Sequence, residues 1–323
     1  MRPGTLHRMH ASTPAERSAL RFGPWEALQQ RPILAAAIGA LLIAFSAIFV
    51  RLADTTPSTA AFYRCFYALP PLLLMALLER RAYGGLPWPM IRLGLVAGIF
   101  FAIDLVVWHH AIELVGAGLA TVLGNTQVVL VAIIAWIVLG ERPDRRLIAA
   151  IPVVMIGVVL ISGVIGQDAF GSDPVMGVIL GVATGVAYAG YLLILRRGNS
   201  DVRRPAGPLF AATASAAVCT LLIGAPLGEL QLIPTWPSHG WLLLLALGVQ
   251  VAGWMVISIS LPRLDAAMTS VLLTIQPVGS VILGMIILAE DPSAFQLIGV
   301  LFILSGLLLL TVRGPRTVAA PVE

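Results

Sequence analysis

The sequence predicts an all-α polytopic membrane protein, with ten transmembrane helices arranged as two inverted five-helix repeats. Three observations carry this prediction: an apolar composition, ten apolar runs of membrane-spanning length, and an internal repeat whose copies lie five runs apart. Hydrophobic residues make up 59% of the 323 residues and charged residues 11%, and the mean hydropathy is +0.95. Soluble domains carry about 25% charged residues, so the composition excludes a soluble globular enzyme.

The basic residues do not indicate a nucleic-acid partner. All twenty are Arg, and they lie between apolar runs instead of along one face. The two cysteines, Cys65 and Cys219, both lie inside apolar runs, so the sequence offers neither a disulfide framework nor a metal-ligand spacing. We expect no cofactor.

The apolar runs have the length that a membrane span requires, because a helix needs about 20 mostly apolar residues to cross a bilayer. The breaks between runs hold turn-forming residues, among them Pro57, Pro87, Pro174 and Pro292. The ten runs are residues 33–52, 58–78, 91–113, 116–139, 147–165, 175–195, 208–223, 241–261, 266–288 and 294–312.

Arginine placement predicts the orientation, because positively charged loops stay on the cytoplasmic side. With the N-terminus inside, eighteen of the twenty Arg fall in cytoplasmic segments; the exceptions are Arg51, at the outer end of the first run, and Arg64, inside the second. We therefore expect a protein of the inner (plasma) membrane with both termini cytoplasmic. The predicted regions are an N-terminal tail at 1–32, a first repeat at 33–165, a second repeat at 166–312 and a C-terminal tail at 313–323.

The internal repeat appears at an offset of 149 residues. Without gaps, residues 117–127 align with 266–276, Glu141 aligns with Glu290, and Gly157 aligns with Gly306. Five runs separate equivalent points, and because five is odd, the two copies would cross the membrane in opposite directions. Inverted repeats of this kind are typical of secondary transporters.

Together with Phe62-Tyr-Arg-Cys-Phe66 in the second run, these segments resemble the EamA-type proteins of the drug/metabolite transporter superfamily. The other segments that carry the resemblance are residues 139–143, at the end of the fourth run, and the copies at 266–276 and 288–292. The resemblance covers about residues 33–312. It implies a ten-span carrier of a class that mostly exports small metabolites or amino acids, and it does not name a substrate.

Two charged residues inside runs are candidates for a substrate site. Asp104 lies near the middle of the third run, where a charge costs at least about 2.5 kcal/mol, so such residues are usually functional. A structural hydrogen bond to a neighbouring helix is the alternative. Arg64 can bind a substrate carboxylate through its guanidinium fork, or it can form an ion pair with Asp104 that joins the second and third runs.

Aromatic and polar residues within the runs complete the candidate site, although each alone is more typical of helix packing than of ligand binding. Gln127 and Gln276 are equivalent in the repeat, so a pseudo-twofold axis would place them at matched positions about the centre. The predicted substrate-binding set is Arg64, Asp104, Trp108, Asn125, Gln127, Tyr188, Trp254 and Gln276.

The third run ends with His109, His110 and Glu113. His109 and Glu113 lie four residues apart, a spacing that can hold a metal or form an ordinary helical pair. Because no third ligand follows nearby, we expect a water-facing cluster at the outer surface and no metal site. Such histidines titrate near neutral pH and can gate proton access.

These features predict a secondary transporter that exports a small metabolite or amino acid, with that molecule and the lipid bilayer as its partners. Transport would alternately open the two halves. Proton coupling and a homodimer are compatible with the sequence. The alternatives are a membrane-embedded enzyme acting on a lipid or lipid-linked substrate, and a channel or passive scaffold. Against the enzyme, no nucleophile–base arrangement appears within the runs.

Overall fold

The computed structural model describes residues 31–127, 129–130, 133, 145–165, 168–198, 204–233, 235–260, 272 and 275–311. Within these residues the regular secondary structure is helical, and no strand occurs. Six helical stretches are long and apolar enough to cross a membrane, and shorter apolar helices lie at 148–161, 275–287 and 294–309. The described part of the chain is therefore an all-α, multi-pass membrane protein.

The helices are named in chain order. They are α1 (Pro32–Ala44), α2 (Ser46–Ala53), α3 (Pro57–Tyr83), α4 (Trp88–Val115), α5 (Ala117–Gly124), α6 (Arg145–Ile161), α7 (Pro174–Gly198), α8 (Ala206–Leu227), α9 (Ser238–Leu244), a π-helical segment (Leu245–Gly253), α10 (Trp254–Ser260), α11 (Ile275–Ile287) and α12 (Ala294–Thr311).

Proline and glycine set the ends of several helices. Pro57 occupies the first turn of α3, where its missing N–H has no intrahelical partner to lose. Gly84 and Gly116 follow α3 and α4 with φ of 84° and 92°, a conformation that glycine adopts without steric cost. The predicted breaks at these positions are confirmed.

The seventh predicted run is shorter than the helix that contains it. It is the shortest of the ten runs, at 208–223, but α8 extends from Ala206 to Leu227. Pro226 lies within the last turn of α8. The fourth and ninth runs begin or end in α5 and α11, and residues 134–144 and 261–271 lie outside the described residues.

The two predicted halves do not form separate bundles. The most extensive packing joins α4 to α7, α6 to α12, α4 to α8, and α3 to α8. Each of these pairs takes one helix from before residue 166 and one from after it. Opening the protein therefore cannot consist of moving one half of the sequence, as a unit, away from the other.

Glycines allow the closest of these contacts. A Cβ on Gly157 would lie 2.6 Å from the carbonyl oxygen of Gly299 and 2.7 Å from Ile303. A Cβ on Gly306 would lie 2.4 Å from Val154. Residue numbers rise along α6 as they fall along α12, so the two helices run antiparallel.

Glycines spaced four residues apart in α7 allow neighbouring helices to pack closely against it. Gly177 lies against Val115 of α4 and Gly181 against Leu123 of α5, and a Cβ on either glycine would come within 2.7 Å of the facing side chain. Small residues let helices approach closely in membranes, where lipid is as apolar as the side chains.

Carboxylates from neighbouring helices bind two helix N-termini. Glu290 accepts hydrogen bonds from the backbone N–H groups of Ala117 and Gly118 at 2.5 and 3.1 Å. Glu79, near the end of α3, accepts from the N–H groups of Ala206 and Gly207 at 2.9 and 3.0 Å. The first N–H groups of a helix lack intrahelical partners and carry partial positive charge, so both contacts are favourable.

We predict that Gly157→Ala lowers stability, because the added methyl would collide with the backbone of α12. Overpacking of this kind costs about 1–3 kcal/mol. The measurement is the thermal unfolding midpoint of the detergent-solubilised protein. Gly248→Ala is the matched control, since no atom lies within 4 Å of a Cβ at that helical position. Equal midpoints for the two variants would contradict the close α6–α12 contact.

Candidate binding cavity

A cavity opens between α1, α2, α3, α4, α5, α7, α10 and α11. Its empty volume is about 510 Å³, a figure that includes open solvent at its mouth. Its lining residues are Ile43, Ser46, Arg64, Phe101, Asp104, Leu105, Trp108, Thr121, Gly124, Asn125, Thr184, Tyr188, Trp254 and Gln276.

The structure brings seven of the eight predicted site residues to this cavity. Gln127 is not among the lining residues; it is buried, and its Oε1 has no hydrogen-bond partner within the described residues. Its repeat equivalent, Gln276, does line the cavity. The expected matching of the two glutamines about the centre is therefore not seen.

Arg64 is 4% exposed and is held by neutral partners. Its Nε donates to Gln250 Oε1 at 3.0 Å, and its Nη1 donates to Ser46 Oγ at 2.9 Å. The guanidinium carbon lies 5.6 Å from the ring centre of Phe101 and 6.0 Å from that of Trp108, within the range of cation–π attraction. A guanidinium has five N–H donors, so these two bonds leave three donors at the cavity.

Asp104 is 6% exposed and also lines the cavity. Among the described residues it has neither a hydrogen bond nor an ion pair within 4 Å, and the alternative of a direct Arg64–Asp104 ion pair is not seen in this structure. The guanidinium of Arg64 and the carboxyl group of Asp104 therefore face one cavity without direct contact.

Aromatic rings form a large part of the wall. Phe101 stacks on Tyr191 with ring centres 4.4 Å apart, and the ring of Trp254 meets those of Tyr188 and Tyr191 edge-on at 6.3 and 5.7 Å. These contacts fix the orientations of Tyr188 and Trp254 at the cavity. The wall offers flat apolar surface around the two charged groups.

Two polar atoms at the cavity have no partner within the described residues. They are the indole Nε1 of Trp254 and the hydroxyl of Thr184, and both are fully buried. Buried polar groups are nearly always hydrogen-bonded in folded proteins. A ligand or an ordered water in the cavity would supply the missing partners.

Sequence analysis missed Ser46, Thr121 and Thr184 as lining residues, and it missed Gln250 as the partner of Arg64. Ser and Thr are frequent in membrane helices as packing residues, so their residue type carries little signal. A signal existed only for Gln250, which is a strongly polar residue in the middle of the eighth run.

The prediction that the histidines at the end of α4 form one water-facing cluster is wrong. His109 is fully buried, and its Nδ1 lies 3.0 Å from the carbonyl oxygen of Pro57. Only His110 and Glu113 reach the surface. The described residues contain no group of three His, Cys, Asp or Glu side chains that could hold a metal ion.

His110 instead joins α4 to the segment after α8. Its Nε2 lies 2.7 Å from Glu229 Oε1, its Nδ1 lies 2.7 Å from the carbonyl oxygen of Val106, and Ser58 donates to Glu229 Oε2 at 2.5 Å. Glu229 thereby connects the end of α4 to the first turn of α3.

The comparisons with known proteins agree with this architecture. The model of the EamA-like transporter family matches residues 30–163 and again residues 175–312. An uncharacterized transporter of Synechocystis sp. is 25% identical over 257 residues, which cover 73% of this chain and 75% of that protein. A solved crystal structure, at 20% identity, superposes with a TM-score of 0.58 over 87% of this chain and 96% of its own; this likeness concerns the fold alone.

We predict that Glu229→Gln removes an acid-dependent part of the stability. Burial acts to raise the pKa of Glu229, but the hydrogen bonds from Ser58 and His110 outweigh it and hold the pKa below its ordinary value of 4.5. A carboxyl with a lowered pKa stabilises the fold above its unfolded pKa, and this contribution is lost as the pH falls through its folded pKa.

The measurement is the unfolding midpoint in detergent as a function of pH. The wild type should be more stable than Glu229→Gln at neutral pH, and the difference should shrink below pH 4.5. Glu113→Gln is the control, because it removes a nearby exposed carboxylate that makes no side-chain hydrogen bond within the described residues. A constant difference at all pH values would contradict the assignment.

Proposed function

Because the chain belongs to the EamA-like transporter family, we propose that it is a secondary carrier for a small molecule with a carboxylate, an amino acid above all. The observation that carries this proposal is the cavity in which Arg64 and Asp104 stand unpaired with each other. A ligand that carries both a carboxylate and an ammonium group would pair with the guanidinium and the carboxyl group that line this cavity.

A zwitterion fits the two charges. The free N–H donors of Arg64 suit a carboxylate, which can accept two of them in a bidentate pair. Asp104 suits an ammonium group. The aromatic wall at Phe101, Tyr188 and Trp254 then suits an apolar side chain.

Ten spans in two inverted repeats are part of the proposal, and several contacts support them. The family model matches the chain twice. Pro57 and Ala206 begin α3 and α8, and these two helix starts are 149 residues apart. The domain limits that go with this proposal are 1–32, 33–165, 166–312 and 313–323.

The close α6–α12 contacts also support an inverted relation. The contact of Gly157 with Ile303 and the contact of Gly306 with Val154 are equivalent at the offset of 149 residues. A twofold axis between antiparallel helices exchanges such a pair of contacts. Glu79 at the start of α8 and Glu229 beside the start of α3 repeat the pattern at the two ends of the α3–α8 pair.

Export across the inner membrane, with both termini cytoplasmic and with proton coupling, completes the proposal. The side of the membrane rests on the arginine distribution. Coupling rests on Asp104, a buried carboxyl that can exchange an ammonium group for a proton as the cavity opens to one side and then the other.

Counterflow in proteoliposomes tests the function. The purified protein is reconstituted with an excess of one unlabelled amino acid inside, and the uptake of the labelled compound is followed for a panel of amino acids and organic acids. A carrier should accumulate label transiently against its gradient, which neither a channel nor a lipid-modifying enzyme can do. Absence of counterflow across the whole panel would refute the proposed substrate class.

We predict that Asp104→Asn leaves the protein folded and inserted but abolishes the dependence of counterflow on an imposed pH gradient, because the proton-carrying group is gone. Arg64→Ala should raise the KM of carboxylate substrates at least about tenfold, the loss expected of a charge-assisted hydrogen bond. Transport is measured per folded molecule. If both residues were only structural, either change would lower the amount of folded protein and leave its pH dependence normal.

A second prediction concerns topology. A reporter fused after Arg145 should read cytoplasmic, and one fused after Asp291 should read periplasmic, because equivalent points of inverted repeats lie on opposite sides. Reporter pairs that are active only in the cytoplasm or only in the periplasm provide the measurement. Finding both fusion points on the same side would end the inverted-repeat proposal.

A further inference from the structure

The eighth run contains a π-helical segment at Leu245–Gly253, between α9 and α10. A π-helix is wound more loosely than an α-helix, with hydrogen bonds between residues five apart instead of four. Such segments are rare, and they occur frequently at functional sites. Gln250 lies in this segment and is fully buried. Its amide oxygen accepts from Arg64 Nε at 3.0 Å, and its amide nitrogen donates to Thr213 of α8 at 3.3 Å.

We propose that Gln250 is a positioning residue that holds the guanidinium of Arg64 at the cavity with its charge intact, and that the π-helical segment places Gln250 for this role. The inference rests on the proposed function, since the charge matters only for what enters the cavity.

The choice of partner is the first argument. A buried Arg ordinarily pairs with a carboxylate, which satisfies its donors but cancels its charge. Here both recorded partners, Gln250 and Ser46, accept through neutral oxygens. The guanidinium is thereby hydrogen-bonded and still positive towards the cavity.

The position of Asp104 is the second argument. It lines the same cavity, and no hydrogen bond or ion pair of its side chain is recorded within the described residues. The Gln250 and Ser46 bonds anchor the guanidinium at two of its nitrogens, which opposes a swing towards this carboxylate. Because Arg64 Nε can only donate, the Gln250 oxygen faces it, and the Gln250 amide nitrogen is left to donate to Thr213, which helps to hold the amide in place.

The experiment reads the charge at the cavity without any transported substrate. A single cysteine is placed at the cavity by Thr121→Cys, in a chain that also carries Cys65→Ser and Cys219→Ser. The rate of its modification is measured with two thiosulfonate reagents of similar size, one with a sulfonate and one with a trimethylammonium group. The rate with the sulfonate reagent is divided by the rate with the trimethylammonium reagent, and this ratio is divided by the same ratio for a free thiol. The result reports the local electrostatic potential at the cysteine.

Arg64→Met should lower this ratio at least about tenfold, because the cation is removed. Gln250→Met keeps the size of the side chain and the net charge but removes the acceptor, and it should lower the ratio at least about threefold as the guanidinium leaves its position. Thr213→Val should act in the same direction more weakly. Gln296→Met is the control: Gln296 is also fully buried and hydrogen-bonded, but it contacts Phe170 and Ile161 and not the cavity.

The decisive measurement is the double variant. If Gln250 acts through Arg64, Gln250→Met should cause no further fall in the Arg64→Met background, since residues that act through one another are not additive. A merely structural role of Gln250 predicts the same fall in both backgrounds, or none in either, and either result would overturn the inference. Failure of both reagents to reach the cysteine from either side would instead refute the proposed function, and the inference with it, because a transport cavity must open.

Discussion

The burial of one guanidinium group constrains much of the architecture. Arg64 is almost fully enclosed in an apolar bundle, and a buried charge without partners would make the fold unstable. Its partners come from three separate stretches of the chain: Ser46 at the start of α2, Gln250 in the π-helical segment, and the rings of Phe101 and Trp108 on α4. The bundle is irregular at two of these places. The turn at Phe45 between α1 and α2 and the π-helical segment both lie next to acceptors of the guanidinium.

A second constraint is the absence of water within a bilayer, which leaves backbone groups at helix starts without solvent partners. Glutamate side chains bind polar groups at these helix starts. Glu290 and Glu79 each bind two backbone N–H groups at the start of another helix, and Glu229 binds Ser58 in the first turn of α3. Each contact joins an early part of the chain to a late one. The same carboxylates therefore satisfy helix ends and hold the interleaved helices in register.

The sequence predicts the helices well because bilayer thickness imposes a length and a composition that are visible in one dimension. Proline and glycine at the breaks locate helix ends such as Pro57 and Gly116 within a few residues. Charge inside an apolar run also singles out Arg64 and Asp104, and these two do share a cavity. The partners of Arg64 could not be predicted from the sequence, because a hydrogen bond between residues 186 positions apart depends on how helices pack. His109 shows the same limit, since the end of a run can be covered by a neighbouring helix start.

The interleaving of early and late helices bears on how the protein is made. As the chain leaves the ribosome, α3 and α4 enter the membrane before α7 and α8 exist, so the surfaces that these later helices cover face lipid during synthesis. The backbone N–H groups of Ala117 and Gly118 bind the carboxylate of Glu290, which is translated more than 170 residues later. Final packing is thus delayed until nearly the whole chain has been inserted. A truncated product that lacks the last two helices would leave the helix surfaces that they cover exposed to the membrane's quality-control proteases.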